Sequence, residues 1–280
     1  MISCITAVMN REENLAKMLP TWTKVDKIKD FVIVDWSSRN PIINNSIIQE
    51  QMAKYKNIKI IRVEGQTYYY RSQPFNLANS YTDQNNKILL KLDVDYMSID
   101  DSWLDFQKIY DNNELLNYFI CGDAIFNPES EGFLFVNKRN FNEVNGYNEN
   151  LLPMYAYEDE DIKFRLSKLK GLRVRHAWAH ELVNPEFLKI PFFDFNKYIY
   201  HIPHSNLMRV ENSIKLKDAI YSQDFLNQDR VNSSSPMKKQ TQINREISIK
   251  NPIWKPKQYK ILEEIDNYIR VEMLEENTIN

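Results

Sequence analysis

The first 95 residues alternate between short apolar runs and segments with helical spacing, and this alternation restricts the possible folds more than any other feature. The apolar runs are ISCITAV (residues 2–8), FVIV (31–34), IKIIRV (58–63) and NKILLKLDVD (86–95). Short runs rich in β-branched residues are typical of buried strands. Strands that alternate with helices predict a mostly parallel sheet covered by helices on both faces. We therefore predict an α/β fold.

Helices are predicted between these strands. The apolar residues of segment 15–22 lie on one face of a helix, and Pro20 is expected to bend or end it. Further helices are predicted over residues 45–56 and 75–83. Near the end of the chain, the apolar residues of KQYKILEEIDNYIRVEMLEEN (257–277) predict an amphipathic helix.

Composition and motif searches exclude several classes of function. The 36 Lys and Arg residues against 38 Asp and Glu residues argue against a nucleic-acid binder that works through bulk positive charge. No apolar run approaches the ~20 residues that span a bilayer, so no transmembrane segment is predicted. The first residues do not resemble a signal segment, and two cysteines cannot form a disulfide framework, so a cytoplasmic protein is expected. Phosphate-loop, dinucleotide-fingerprint, zinc-finger and hydrolase motifs were not found.

Polar residues follow the predicted strands, at the edge where ligands bind in open α/β sheets. These residues are Asn10 and Arg11, then Asp35, Ser37 and Ser38, then Asp93 and Asp95. Residues i and i+2 of a strand face the same side, so Asp93 and Asp95 can face one cation. Carboxylates of this kind suit Mg²⁺ or Mn²⁺. The alternative for Asp93 and Asp95 is a solvated acidic turn.

Four consecutive acids, Glu158–Asp161, begin the helix of YEDEDIKFRLSKLKGLRV, which is expected to stop at Gly171. The helix dipole favours acids in a first turn, which is the structural alternative. The apolar stripe of this helix begins at Ile162, and stepping back by four and three residues reaches Glu158 and Asp159. These two carboxylates therefore continue the inward face, where one of them can act as a general base.

A histidine is the predicted third ligand of the cation. HIPHSN places His201 and His204 three residues apart, and HAWAHE offers His180. A neutral imidazole would complete the coordination. The sequence ranks His204 first and leaves the other two open. Arg11 and Arg71 are candidates for contacts to a base or a phosphate, although a surface charge is the alternative for each.

The order of these parts resembles inverting glycosyltransferases of the GT-A fold. ITAVMNREENL, VIVDWSS and LLKLDVD are similar to the family-2 enzymes. The stretch from GFLFVNKRNFNEVNGYNE through YEDEDIKFRL is similar to β-1,4-galactosyltransferases and to bacterial chondroitin-polymerase domains. The similarity covers residues 2–206 and implies a GT-A fold with a mostly parallel central sheet flanked by helices, followed by a helical C-terminal extension.

The resemblance also implies roles for individual residues. Those next to the nucleotide would be Ala7, Val8 and Arg11 beside the uracil, Asp35 on the base with Ser37 beside it, and Phe75. Asp93, Val94 and Asp95 match the D-x-D that binds the diphosphate and the metal, with Asp95 as the closer metal ligand. The HIPHSN segment favours His204 as the metal-binding histidine. Asp159 matches the catalytic base, and Glu158 matches its acceptor-binding neighbour.

The implied activity is that of a hexosyltransferase of polysaccharide biosynthesis that needs Mn²⁺ or Mg²⁺. It would move a sugar from a nucleotide-sugar, with UDP favoured, to a hydroxyl of a glycan or another acceptor. The related enzymes carry W-G-G where this chain has Tyr155, Ala156 and Tyr157, so the sugar itself is not predicted. A nucleotidyltransferase is one alternative, but NREENL lacks the usual glycine-rich basic loop. A non-catalytic binding module is another, but it would not need both acid clusters.

The resemblance also suggests how the chain is divided. The predicted units are a transferase domain over residues 1–210, made of a nucleotide-binding half (1–100) and an acceptor-binding half (101–210), and a helical extension over 211–280. The terminal helix would dock either within its own subunit or onto a second copy of the chain. The sequence leaves both arrangements open.

Overall fold

The fold is described from a computed structural model. The structure describes residues 1–99, 118–122, 130, 132–152, 157–170, 172–176, 199–201 and 236–274. Within these residues the central feature is a nine-stranded sheet, with a separate two-stranded sheet beside it. No helix of the described ranges is long and apolar enough to cross a membrane.

The described strands and helices follow the predicted alternation in the first half of the chain. The strands are β1 (Ile2–Val8), β2 (Ile28–Trp36), β3 (Ile58–Glu64), β4 (Ile88–Lys91), β5 (Tyr96–Ser98), β6 (Tyr118–Cys121), β7 (Leu134–Asn137), β8 (Arg173–His176), β9 (Ile199–His201), β10 (Tyr259–Ile265) and β11 (Tyr268–Met273). The helices are α1 (Glu12–Trp22), α2 (Ser46–Lys54), α3 (Ser72–Ser80), α4 (Lys138–Glu143), α5 (Glu158–Ser167) and α6 (Pro236–Lys250).

The large sheet has the strand order β10-β11-β3-β2-β1-β4-β7-β6-β8. Strands β3, β2, β1 and β4 are parallel to one another, as the alternation predicted. Strand β7 lies antiparallel between β4 and β6. Because β1 to β4 point the same way, the segments that follow them meet at one edge of the sheet.

Each face of the sheet contributes to a hydrophobic core. On one face, Cys4 and Ile33 belong to a cluster with residues of α1 and α2, among them Leu19 and Ile48. On the other face, Ile5 packs in a cluster with α3, α4 and α5. Every residue of β1 is buried, which explains why its sequence is almost continuously apolar rather than alternating.

Pro20 was expected to bend or end helix α1, and it does not end the helix. The helix continues to Trp22, so the proline lies in its last turn. A proline removes the backbone bond to the residue four positions earlier, and here only two more residues follow it. Trp22 is buried in the core and its indole N–H donates to the carbonyl of Tyr96, which favours the final turn.

The predicted amphipathic helix over residues 257–277 is wrong. Strands β10 and β11 form an antiparallel hairpin there, with Asp266 of its turn in the left-handed region at φ 50°. Strand β11 pairs in parallel with β3 and extends the large sheet. The helical part of the extension is instead α6. The predicted domain boundary near residue 210 lies outside the described residues.

Candidate active site

The carboxyl ends of β1 and β4 bring two of the predicted site residues together. Arg11 follows β1, and its Nη1 lies 3.1 Å from Oδ2 of Asp95, which follows β4. The Asp95 carboxylate is almost fully buried. The arginine that was predicted to approach a nucleotide therefore also balances the charge of a predicted metal ligand.

A buried lysine, Lys91, connects the two acid clusters that the sequence analysis had treated separately. Lys91 is the last residue of β4 and its side chain is 1% exposed. Its Nζ lies 3.0 Å from Oδ1 of Asp93 and 3.3 Å from Oδ1 of Asp159. The structure thus places the D-x-D segment next to the start of α5. Sequence reasoning missed Lys91, although a lysine between Leu90 and Leu92 in an apolar strand was a visible signal.

The electrostatics of this cluster keep Asp159 ionised. Burial by itself would raise the pKa of Asp159, but Lys91 together with Lys163 and Arg71 outweighs this effect and holds the pKa below the usual 3.8. Burial likewise opposes the charge of Lys91, while Asp159 and Asp93 raise its pKa well above 10.5. Burial and the neighbouring Asp95 raise the pKa of Asp93, although Lys91 opposes them. An ionised, buried Asp159 has the state that a general base needs.

Glu158 occupies the same inward face, as the helical phase predicted. It is buried, and its Oε1 lies 2.7 Å from Nη1 of Arg71, the residue just before α3. Burial raises the pKa of Glu158, although Arg71 acts to lower it. In this structure Arg71 holds a protein carboxylate, and its predicted contact to a nucleotide stays a prediction.

Asp35 lies at the end of β2 with its side chain 1% exposed. Its Oδ2 accepts from Nη1 of Arg62 at 2.6 Å and from the backbone N–H of Ile42 at 3.1 Å, while Oδ1 accepts from the N–H of Ser38 at 3.0 Å. A carboxylate has about four acceptor positions, so one remains for a further donor. Arg62 is a second residue that sequence reasoning missed.

Ser37 links the segments after β2 and β3. Its backbone is in the left-handed region at φ 55°. Its Oγ donates to the carbonyl of Val63 at 2.7 Å and accepts from the N–H of Gln66 at 2.8 Å. The structure therefore gives Ser37 a role in shaping the site's edge. Its position beside the nucleotide stays a prediction.

The apolar residues of the predicted nucleotide site are all buried. Ala7, Val8, Phe75 and Val94 belong to the core. The Tyr69 hydroxyl donates to the carbonyl of Ala7 at 3.3 Å. The ring of Phe75 lies beneath Lys91, with Nζ 4.8 Å from its centroid. Phe75 thus forms a wall of the charged cluster, while its proposed contact to a nucleotide stays a prediction.

Gly132 leaves space beside the cluster that no other residue would leave. A Cβ at this position would lie 2.5 Å from Oδ2 of Asp93 and 3.1 Å from Nζ of Lys91. Its φ of +97° also favours glycine. The sequence contains only 5 glycines, which was the one signal for a local role at this position.

The predicted metal ligands are only partly described. His204 and His180 lie outside the described residues. His201 ends β9, and its backbone pairs with Tyr96, the residue after Asp95. The backbone of His201 therefore lies beside the residue that follows the D-x-D segment. Among the described residues no group of three His, Cys, Asp or Glu side chains is placed to hold a metal. Asp93 and Asp95 supply the hard oxygen ligands that suit Mn²⁺ or Mg²⁺.

Comparison with known proteins supports the fold. No protein-family model and no curated protein matches the sequence. Among solved structures, the catalytic domain of Drosophila β1,4-galactosyltransferase 7 with xylobiose has a TM-score of 0.50 and 16% identity, over 97% of this chain and 92% of that one. The mannosyltransferase PcManGT of Pyrobaculum calidifontis, in complex with GDP-Man and Mn²⁺, has a TM-score of 0.53 and 11% identity, over 90% and 70% of the two chains.

A third similar structure is TarS of S. aureus, with a TM-score of 0.51 and 13% identity. That match covers 81% of this chain and 41% of TarS, so the chain spans less than half of that protein. Identities this low show the fold alone. The chain has the GT-A fold, which confirms the fold that the sequence motifs implied.

Proposed function

We propose that this chain is a metal-dependent inverting glycosyltransferase that moves a sugar from a nucleotide-sugar to an acceptor hydroxyl. One observation carries the proposal: Asp93 of the D-x-D segment and Asp159 of α5 both pair with the buried Lys91 at the carboxyl ends of the parallel strands. Ligands bind at this edge in α/β sheets. A solvated acidic turn would not share a buried lysine with a carboxylate of another element.

The proposed chemistry assigns one task to each group. Asp93 and Asp95, with His204 as the third ligand, would hold a divalent cation, which supplies positive charge for the departing diphosphate. Asp159 would accept the proton of the acceptor hydroxyl, since its carboxylate is ionised and hydrogen-bonded at one oxygen. Glu158 would bind the acceptor. Attack opposite the leaving group inverts the configuration at the anomeric carbon.

Mn²⁺ and a UDP-linked donor are the preferred partners in this proposal. PcManGT, which has a similar fold, is known in complex with GDP-Man and Mn²⁺, and this supports the choice of cation. The preference for UDP rests on the resemblance of ITAVMNREENL and VIVDWSS to family-2 enzymes. A glycan is the proposed acceptor. GDP, CDP and TDP therefore belong in the test beside UDP.

Thermal unfolding tests the donor site. Thermal unfolding of the protein would be followed with UDP, GDP, CDP or TDP, each with and without Mn²⁺. A ligand at ~100 times its Kd stabilises a protein by about 2.7 kcal/mol, which is visible as a higher Tm. We expect one nucleotide to raise the Tm only with Mn²⁺, and Asp95→Asn to abolish the shift. Shifts that do not need Mn²⁺, or none with any nucleotide, would refute a metal-dependent donor site.

Asp159→Asn tests the base, with Glu160→Gln as the matched control because Glu160 is its exposed neighbour on α5. The probe is release of the nucleoside diphosphate from UDP-sugars in the presence of a glycan mixture. Asp159→Asn should slow release by about 10²- to 10⁴-fold and keep the Mn²⁺-dependent Tm shift. Glu160→Gln should keep both. Unchanged release by Asp159→Asn would remove Asp159 from the mechanism.

A further inference from the structure

Lys91 is a buried charged group that neither the motifs nor the proposed mechanism uses. Its side chain is 1% exposed, and in the sequence it stands between the buried Leu90 and Leu92 at the end of β4. Burial of an ammonium group is costly unless it is paired. The ammonium of Lys91 is stabilised by two carboxylates, Asp93 and Asp159, and by the face of the Phe75 ring. An apolar side chain at this position would fill the core without these partners.

The contacts of Lys91 divide the oxygens of the two carboxylates. In each case Nζ approaches the Oδ1 atom. The hydroxyl of Tyr147 also reaches Oδ1 of Asp159, at 3.5 Å. Oδ2 of Asp93 points to the space that Gly132 leaves open. Among the described residues, no hydrogen bond is made to Oδ2 of Asp93 or of Asp159.

We propose that Lys91 is a positioning residue. By pairing with Oδ1 of Asp93 and Oδ1 of Asp159, it leaves the Oδ2 atom of each carboxylate available to another partner. It leaves Oδ2 of Asp93 to the cation and Oδ2 of Asp159 to the acceptor hydroxyl. The ammonium also stands between the two carboxylates, so one cation cannot bridge Asp93 and Asp159. This inference rests on the proposed transferase function.

The division of oxygens has a consequence that a purely structural lysine would not have. Without the ammonium, two close carboxylates repel each other and together attract a divalent cation more strongly. The cation would then capture Asp159, and the base would be lost. Removal of Lys91 should therefore tighten binding of Mn²⁺ while it slows transfer. A lysine that merely stabilised the fold would weaken both when removed.

The test compares wild type, Lys91→Met and the control Lys59→Met. Methionine keeps the length of the side chain without its charge. Lys59 is a suitable control because it is a partly buried lysine on β3 whose Nζ donates to a backbone carbonyl, that of Tyr81. The probe is Mn²⁺ alone, measured by the electron paramagnetic resonance signal of the free ion. Transfer is measured with the UDP-sugar that the wild type uses.

We expect Lys91→Met to bind Mn²⁺ at least about threefold more tightly, as the loss of a nearby positive charge predicts. Its kcat should fall by about tenfold to a hundredfold while KM for the UDP-sugar changes little. Lys59→Met should match wild type in both. Unchanged or weaker Mn²⁺ binding by Lys91→Met, or wild-type turnover, would overturn the proposal.

Sugar transfer by wild type tests the proposed function, whereas the Mn²⁺ affinities of the variants test the role of Lys91. Wild type that transfers no sugar would overturn the proposed function and the assignment of Oδ2 of Asp159 to an acceptor. The Mn²⁺ affinities would then still decide whether Lys91 keeps the cation away from Asp159. Should Lys91→Met not fold, a crystal structure of wild type with Mn²⁺ and UDP decides. The proposal is supported if Lys91 contacts Oδ1 of both carboxylates while the metal contacts Oδ2 of Asp93. It is overturned if the metal bridges Asp93 and Asp159.

Discussion

At the scale of single residues, the buried ion pair between Asp35 and Arg62 stands at the edge of the sheet where β2 ends. Asp35 and Arg62 come from neighbouring strands, and both are nearly inaccessible. Burial acts to lower the pKa of Arg62, but Asp35 and Glu64 more than offset it and raise that pKa. Removal of one member of such a pair leaves a buried charge without a partner. The pair therefore makes the end of β2 sensitive to substitution in a way that surface ion pairs are not.

Arg62→Met should destabilise the protein by about 3–5 kcal/mol, since Asp35 would lose its closest counter-charge. Urea unfolding followed by circular dichroism measures the free energy of unfolding. Lys260→Met is the control, because Lys260 pairs with Glu272 at 2.9 Å while the two side chains are 61% and 44% exposed. This control should change stability by no more than about 1 kcal/mol. Equal effects of the two substitutions would show that burial does not strengthen the Asp35–Arg62 pair.

Sequence reasoning located the acids of the candidate site but not their counter-charges. Asp93 follows a buried strand and Asp159 continues an apolar stripe, so local patterns were enough to select them. The partner of Asp159 is Lys91, which is 68 residues away in the chain. Lys91, Arg62 and Gly132 gain their roles from contacts that only the tertiary structure creates. No pattern within one strand or one turn encodes such contacts.

At the scale of elements, helix α5 packs against the C-terminal segment, residues 236–274. Asp161 of α5 is fully buried, accepts from the hydroxyl of Ser248 on α6, and binds Nε of Arg165 at 2.8 Å. The guanidinium of Arg165 lies 4.7 Å from the ring centroid of Trp254. Because α5 also holds Glu158 and Asp159, the C-terminal segment fixes the helix that presents the proposed base.

The loop before α5 is held by the same segment. Asn145 donates to the carbonyl of Trp254 at 3.1 Å. Glu149 accepts from the side chain of Asn76 at 2.7 Å and from the backbone N–H of Lys257 at 2.6 Å. Glu149 therefore ties α3, the loop and the C-terminal segment together through one buried carboxylate.

The contribution of Glu149 to stability should depend on pH. Burial raises the pKa of Glu149 above its usual 4.5, although Asn76 and Lys257 oppose this. A carboxyl whose pKa is raised in the folded state favours folding most below pH 4.5, and this advantage is lost as the pH rises through the folded pKa. The difference in free energy of unfolding between wild type and Glu149→Ala should therefore shrink from pH 4 towards pH 7.

Urea unfolding at several pH values measures this difference. The control is Glu143→Ala on the exposed side of α4, which should change the free energy of unfolding by less than about 0.5 kcal/mol at each pH. A difference for Glu149→Ala that grows as the pH rises would contradict the expected sign. It would mean that the two N–H donors outweigh burial and favour the ionised carboxylate.

At the scale of the whole molecule, the C-terminal hairpin completes a sheet that begins with residue 2. Strand β11 pairs with β3, so residues separated by more than 200 positions are neighbours. The apolar residues of segment 257–277 fit a helical stripe, but Ile269 and Val271 also alternate as in a strand. Periodicity cannot separate these two interpretations over a short segment. The exposed edge of β3 decides between them, and no local pattern contains that information.

Two isoleucines of this segment distinguish the hairpin from the helix. A helix would place Ile261 and Ile269 on the same apolar face, whereas the hairpin leaves Ile261 50% exposed and buries Ile269 to 1% exposure. Ile269→Ala should therefore lower the free energy of unfolding by about 2–5 kcal/mol, as for other buried isoleucines. Ile261→Ala should change it by about 0.5 kcal/mol or less.

The form of the unfolding curve shows whether the hairpin belongs to the same folding unit as the rest of the sheet. Because β11 is hydrogen-bonded along β3, we expect Ile269→Ala to shift one cooperative urea transition to lower concentration. Tryptophan fluorescence and circular dichroism should follow that transition together. A separate early transition for Ile269→Ala would mean that the C-terminal segment unfolds as its own domain. Equal losses of stability for both isoleucines would instead restore the helical interpretation.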